Sequence, residues 1–487
     1  MKSNRRALGL IALVFVGSRA AAYLAGVRFD ASPLDYFIQY PDPTLLKTDM
    51  LSTVWYFHMA PPLSTLFFGL VLNIFGSSFS TIFAAVYFTF GLALALWLYA
   101  LMTALGGSQL VSVVLTIGFA LSPAAILYEN WLYPDYLIAA LLVAAALLLR
   151  DFAASGHTLK AAGFCALLGL IVLSRSYYQV AWFVLCVGAV LLVIPFRKRL
   201  AVAALIPLVL VLALYARNYE MWGFFSGSSS TGLNFYNEFI VQLPVSDRAR
   251  LAAEGRVSNV AVQSDVYLAH PEAYGLRPPT GIPVLDQTYK TTGVVNYGNR
   301  TYVDIWGQLQ SDGIAVIEAR PVVLERAGVM ALFIFFVPSQ DYPLEPQNRA
   351  RLLQFERLSN VLESGQIRDV AAAPRDPVLY QRAHWTERLA EVGWLTLLVY
   401  VLAIPYGVLR TWRAVRNHNR ALAAPLIFLL VTIVYVGVSD LVAGIPDNNR
   451  YRFMIDPLVL ALLAALLARA GERWRIKPLA ARSSALS

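Results

Sequence analysis

Ten apolar runs govern what this chain can become. They cover roughly 7–25, 79–100, 109–127, 135–149, 160–174, 178–195, 200–216, 390–409, 422–440 and 453–468. Each is long enough, or nearly so, to cross about 30 Å of hydrocarbon at roughly 1.5 Å per residue. Hydrophobic residues make up 58% of the 487 and charged residues only 14%, where a soluble domain carries about a quarter charged. Such runs fold in a bilayer as helices, because a helix satisfies its backbone polar groups internally.

The basic residues orient the bundle. With the N-terminus inside and the chain alternating, the inner side collects Lys2, Arg5, Arg6, Arg150, Lys160, Arg197, Lys198, Arg199, Arg410, Arg413, Arg416 and Arg420. The tail adds Arg469, Arg473, Arg475, Lys477 and Arg482. Those segments hold seventeen of the 39 basic residues but only Asp151 and Glu472 of the 30 acidic ones, which leaves a net −6 elsewhere. This is the positive-inside asymmetry. Basicity therefore reports orientation, and nucleic acid is not an expected partner. The expectation is a multi-pass inner (plasma) membrane protein with both termini cytoplasmic.

Two apolar stretches are kept off the list of spans. Pro61–Phe75 opens on two prolines and is of a length suited to a re-entrant or interfacial segment; if it crosses instead, every later loop inverts. Ala327–Val337 is assigned to the outer surface. Within the first run Ala20-Ala21-Ala22 follows an apolar core, as the cleavage site of a signal would, but Arg19 beside that site argues against cleavage. Cys165 and Cys186 both fall inside spans, so neither a disulfide framework nor a Cys-based metal site is implied.

The fold expectation is an all-α polytopic bundle of about ten spans, with interfacial helices and an extracytoplasmic insert of mixed helix and loop. Residues 1–216 form an N-terminal transmembrane catalytic module whose first outer loop, 26–78, is rich in aromatics, prolines and acids. Residues 217–389 form a polar outer region that opens on a Gly/Ser stretch, with helices expected over 247–254 and 350–363. Residues 390–487 return to the membrane and end in the cytoplasmic tail.

Carboxylates at the lips of the apolar runs are the candidates for chemistry, since a bilayer tolerates ionisable groups only where they are paired, wetted or used. Asp35 lies in the first outer loop with Asp30, Asp42 and Asp49 as rivals. An ionised carboxylate there can act as a general base toward an acceptor hydroxyl, or simply cap a short helix. Glu129 and Asp135 share a connection of about seven residues, YENWLYPDY. They suit orienting an acceptor or binding a divalent metal, although Asp135, just after Pro134, is also placed to cap the next helix.

Arg175, Arg217 and Arg450 fall at the same outer level on separate segments. A guanidinium donates two hydrogen bonds at once to a phosphate, so the three could grip a lipid phosphate; each could equally snorkel to headgroups. His58 precedes Pro61-Pro62, whereas His157, His270, His384 and His418 are scattered and match no metal spacing. There is no HExxH, phosphate-binding Gly-rich loop or Gly-x-Ser-x-Gly, which removes the usual support for soluble hydrolases and nucleotidases.

Taken in order, these pieces resemble the GT-C superfamily of membrane glycosyltransferases, and within it the bacterial family 39 group related to protein mannosyltransferases and aminoarabinose transferases. The resemblance runs over most of the chain on short motifs: Asp35; His58-Met59-Ala60-Pro61-Pro62-Leu63; Tyr128-Glu129-Asn130-Trp131-Leu132; Arg175; Arg217-Asn218-Tyr219 with Gly223; Ser228-Ser229-Ser230-Thr231-Gly232; and Asn449-Arg450-Tyr451-Arg452-Phe453 with Asp456-Pro457. It implies transfer of a sugar from a polyprenyl-phosphate carrier to a lipid, glycan or protein acceptor at the outer face, with Asp35 as base. The family usually pairs that aspartate with a second acid, and here Tyr36 follows; Asp49 then shares or takes the role. Glu129, Asp135, His58 and Tyr36 are expected around the donor and acceptor, and the three arginines around the phosphate. No cofactor is expected, and the acids form no cluster that argues for a divalent metal.

The alternative is a transporter or flippase of lipid-linked sugars. That function wants charged or broken helices near the midplane, whereas these charges gather at one face beside a long one-sided insert.

Overall fold

The computed structural model describes residues 2–263, 271–341, 346–365, 391–443 and 447–483. His270 and His384 lie outside them. The described chain is helical, with only two isolated β-bridges.

The membrane part runs α1 (Lys2–Leu24), α5 (Pro62–Phe75), α6 (Phe79–Ala104), α7 (Gln109–Leu121), α8 (Pro123–Glu129), α9 (Asp135–Ser155), α10 (Thr158–Ser174), α11 (Val180–Leu191) and α12 (Arg197–Trp222). Between α1 and α5 lie three short helices, α2 (Pro33–Tyr36), α3 (Pro43–Thr48) and α4 (Met50–Tyr56). The insert carries α13 (Thr231–Glu238), α14 (Val245–Ala253), α15 (Pro283–Asp286), α16 (Thr301–Ala319), α17 (Val322–Phe335) and α18 (Pro346–Ser364). Then α19 (Trp394–Arg416), α20 (Arg420–Ala443) and α21 (Asn448–Ser483) re-enter the bundle. The helices expected over 247–254 and 350–363 fall on α14 and α18.

Among the described residues seven helical stretches are long and apolar enough to cross a membrane. In α1 the buried positions Ala7, Ile11, Phe15, Arg19 and Ala22 form one stripe, while Leu10, Leu13, Val16, Tyr23 and Leu24 stay exposed. An apolar face turned away from the protein is what a lipid-facing helix requires.

Three expected spans differ in detail. The run 109–127 is broken into α7 and α8, bent by 57°, because the Ser122 hydroxyl caps α8 by accepting from the Ala125 N–H and Pro123 opens the new helix. The runs 160–174 and 178–195 become α10 and α11, of 17 and 12 residues.

The doubtful stretch 61–75 forms α5, which is joined to α6 by a 3₁₀ turn at Gly76–Ser78. The chain folds back there: the Phe68 and Phe83 rings meet at 5.7 Å, although a straight helix would separate them by about 22 Å. Gly76 has φ of +53°, a conformation that glycine reaches without penalty. α5 packs on α3 and α4, and Asn73 donates to the Leu46 carbonyl at 2.7 Å.

The two ends of the bundle differ in charge. At one end Tyr99 donates to Asn4, Arg199 to the Gly156 carbonyl, and Arg410 lies against Gly106. The basic loops gather here. At the other end α3, α4 and the segment after α4 share a second core with the insert, in which Leu45, Phe57 and Met59 pack with Leu233, Tyr236 and Trp306, while Leu34 of α2 joins the main core. α17 leans on α20 and α21, where Asn448 donates to the Ala331 carbonyl at 3.0 Å.

Candidate active site

At the end away from the basic loops, a cavity of about 320 Å³ opens where five segments meet. The first loop contributes Gln39; the turn between α10 and α11 contributes Arg175, Tyr177 and Gln179. The serine loop and α13 contribute Ser226, Ser228, Ser230 and Asn234. Tyr435 and Ser439 come from α20, and Tyr451 comes from α21. The described lining is hydroxyls, amides and one guanidinium, without a carboxylate. Neutral donors and acceptors around one cation suit a polyhydroxylated anion.

Beneath it lies a buried charge network. Asp135 is fully buried, with its carboxylate 3.2 Å from Arg175 Nε and 3.3 Å from Arg450 Nε. Arg450 also reaches Asp447 at 2.5 Å and donates to the Tyr133 hydroxyl. The two guanidinium carbons lie 5.1 and 4.6 Å from the Tyr133 ring centre, and 5.6 and 4.8 Å from that of Tyr451. The expected helix cap is therefore not what Asp135 does; its side chain makes no cap bond and holds two arginines instead. Arg175 also donates through Nη1 to Gln39 at 2.9 Å. Its Nη2 has no hydrogen-bond partner among the described residues, and the side chain borders the cavity.

The expected arginine trio separates into a pair and an outlier. Arg217 donates to the Trp55 carbonyl at 2.7 Å and to its neighbour Asn218, and does not line the cavity. Glu129 is also engaged elsewhere: it is buried against Arg19, with Nη2 at 2.7 Å and Nε at 3.0 Å, and accepts from the Tyr136 hydroxyl at 2.8 Å. A charge in an apolar helix thus finds its partner 110 residues later.

His58 is buried and organises the serine loop. Its Nε2–H donates to the Gly298 carbonyl at 3.1 Å, which leaves Nδ1 to accept from the Ser229 hydroxyl at 2.7 Å. The Ser229 N–H returns a bond to the His58 carbonyl at 2.9 Å. Ser228 donates to the Met59 carbonyl at 2.7 Å and lies 2.9 Å from the Ser230 hydroxyl. Burial pushes the His58 ring down to about 4, so it is neutral at physiological pH.

Asp35 sits exposed on α2, on the loop that also carries Phe37 and Gln39. The Phe37 ring stands edge-on to Tyr133 at 4.7 Å and Tyr40 donates to the Leu132 carbonyl at 3.0 Å, so the loop is locked onto the arginine network. Partial burial raises the Asp35 carboxyl, and Lys290 opposes that shift. Tyr36 is exposed beside it. Asp42 is buried, capping α3 at Thr44 N–H and accepting from Thr291. Asp49 lies half-buried between α3 and α4. Among the described residues, no three His, Cys, Asp or Glu side chains gather as metal ligands would.

Gln39, Tyr177, Gln179 and Asn234 were not singled out from the sequence. Nothing in FIQYPDP or RSYYQ distinguishes them, because their roles come from five segments converging.

A second hollow, of about 540 Å³, runs between α17, α19 and α20 and is walled by Leu332, Phe335, Phe336, Val401, Ile404 and Val434. Asp440 lies on its wall and accepts from the hydroxyl of Tyr177 at 2.7 Å. Tyr177, which also lines the polar cavity, thus links the two spaces.

No protein-family model matches the chain, and no curated protein does either. Two solved structures are similar to it. One is the archaeal oligosaccharyltransferase AglB from Archaeoglobus fulgidus, in complex with an inhibitory peptide and a dolichol-phosphate; the TM-score is 0.45 and the identity 14%, over 99% of this chain and 52% of that one. The other is the Archaeoglobus fulgidus oligosaccharyltransferase tethered by a disulfide bond to an acceptor peptide containing the NVT sequon, at 0.38 and 13%, over 96% and 50%. The chain spans about half the length of the structures it matches.

Proposed function

We propose that this chain is a membrane glycosyltransferase of the GT-C kind, moving a sugar from a polyprenyl-phosphate carrier to an acceptor at the extracytoplasmic side. The observation that carries this reading is the carboxylate-free polar cavity with Arg175 on its wall, linked through Tyr177 to an apolar groove. A lipid-linked sugar phosphate needs those three surfaces together: a cation for phosphate, hydroxyls and amides for sugar, and a greasy channel for the tail. The motifs around Asp35, His58, Ser228–Gly232 and Arg450 support the same family. Since the basic loops mark the cytoplasmic end, the cavity faces outward and both termini lie inside.

In this scheme Asp35 takes the proton of the acceptor hydroxyl as that oxygen bonds to the anomeric carbon. The bond from that carbon to the phosphate oxygen breaks, and its electron pair leaves with the carrier phosphate. Arg175 stabilises the growing charge on that phosphate. Direct displacement inverts the anomeric centre. Asp135 holds Arg175 in place while pairing also with Arg450, and His58 holds the serine loop. Glu129 stabilises the bundle through Arg19.

The test is transfer by the purified protein in lipid nanodiscs, using a panel of polyprenyl-phosphate sugars and scoring release of polyprenyl phosphate. Wild type should turn over at least one donor, and Asp35→Asn should lose roughly 100-fold or more while remaining folded. Undiminished turnover in Asp35→Asn would remove Asp35 as base, and Asp49→Asn is the next variant to measure. Absence of turnover with every donor would contradict the function itself.

A further inference from the structure

We propose that Lys290, in the insert, is a positioning residue that clamps the Asp35 loop and provides the counter-charge that keeps Asp35 ionised. This inference rests on Asp35 acting as base.

The device is a tight turn. Tyr289 and Val295 form an antiparallel bridge, the Lys290 N–H donates to the Val294 carbonyl at 2.7 Å, and Gly293, at φ +83°, closes back on the Lys290 carbonyl at 2.9 Å. The tip reaches the first loop through Lys290, Thr291 and Thr292, and the Thr291 hydroxyl also lies 2.8 Å from that of Thr44. Thr291 donates through its N–H at 2.6 Å and its hydroxyl at 2.8 Å to the two oxygens of Asp42. Thr292 donates its hydroxyl to the Asp35 carbonyl at 2.9 Å, and Lys290 Nζ donates to the Phe37 carbonyl at 3.0 Å. These contacts hold the chain at Asp35 itself and over the residues that follow it, to Asp42.

The lysine is an unusual choice for a clamp. Only 3% of it is exposed, and the Phe37 carbonyl is its one side-chain hydrogen-bond partner among the described residues. A neutral amide could make that bond without the cost of burying an ammonium. What the ammonium adds is charge. The charged groups facing Asp35 are Lys290, Asp30, Asp42 and Lys47, and those facing Lys290 are Asp42 and Asp35. Asp30 and Asp42 disfavour ionisation of Asp35; Lys290 is the larger of the two opposing cations. Burial pushes Lys290 itself down to about 8, so it is charged where the base must be ionised.

The experiment is the pH profile of kcat/KM for wild type, Lys290→Arg, Lys290→Met and Lys290→Gln, each checked for folding. Loss of the charge should move the acid limb upward by roughly half a pH unit or more in Met and Gln, while Arg keeps the wild-type limb. Gln retains a donor for the Phe37 carbonyl, so it reports on charge if Met fails to fold. Folded Met or Gln variants whose acid limb stays at the wild-type position would overturn the proposal. Asp35→Asn in the same assay separates the two ideas: full activity there defeats the base assignment, whereas an inactive Asp35→Asn with an unmoved limb defeats only the role of Lys290.

Discussion

Asp135 holds Arg175 at 3.2 Å from a carboxylate with no exposed surface, and the same carboxylate holds Arg450 at 3.3 Å. One anion thus fixes two cations arriving from different helices. The arrangement keeps Arg175 at the cavity wall in one orientation, since its Nε is committed inward and its outer edge is left for a ligand.

Removing that anion should be costly. Asp135→Asn leaves two buried guanidinium groups short of their counter-charge, and the expected loss is about 3–5 kcal/mol of stability. Thermal unfolding in detergent or nanodiscs measures it. A folded Asp135→Asn protein with wild-type stability would show that Asp447 and solvent compensate.

Glu129 should behave as a fold residue. Glu129→Ala strips Arg19 of its buried partner and is expected to cost a similar ~3–5 kcal/mol. Turnover per folded molecule should stay within a few-fold of wild type. A folded variant that has lost turnover would return Glu129 to the reaction.

Acid should loosen the serine loop through His58. Its folded value of about 4 lies below the ordinary 6.5, so the unfolded chain binds the extra proton first. Stability from this group is complete above pH 6.5 and falls as pH drops toward 4, by about 3 kcal/mol in all. His58→Asn should flatten that part of the stability profile. An unchanged profile would mean that His58 is not the group responsible.

Gly232 should tolerate no side chain. A Cβ there would lie 1.6 Å from the carbonyl oxygen of Trp306, a backbone atom that cannot swing aside. Gly232→Ala is expected to separate α13 from α16 and to lower the folded yield of the protein. Recovery of fully folded, fully active Gly232→Ala would contradict this packing.

The sequence made the bundle legible because lipid imposes a blunt rule on composition, and the gathering of basic residues at one end followed from charge counting. The breaks were harder. Ser122-Pro123 carries a visible helix-start signal, yet the unbroken hydropathy of 109–127 hides it. The fold-back at Gly76 depends on Phe67 and Phe68 meeting Phe83, a contact no local pattern encodes. In the site, Arg175 and Arg450 stood out as charges in an apolar setting. Their shared partner Asp135 looked like a helix cap, because capping is local and ion pairing over 40 or 315 residues is not. Gln39 and Asn234 carried no signal at all.

The most direct measurement is a structure of the protein in nanodiscs with a non-transferable polyprenyl-phosphate sugar. The expected result is phosphate density at the free edge of Arg175, sugar density among Ser228, Ser230 and Asn234, and the tail between α17 and α20. Headgroup density on another surface, with this cavity filled only by water, would contradict the account.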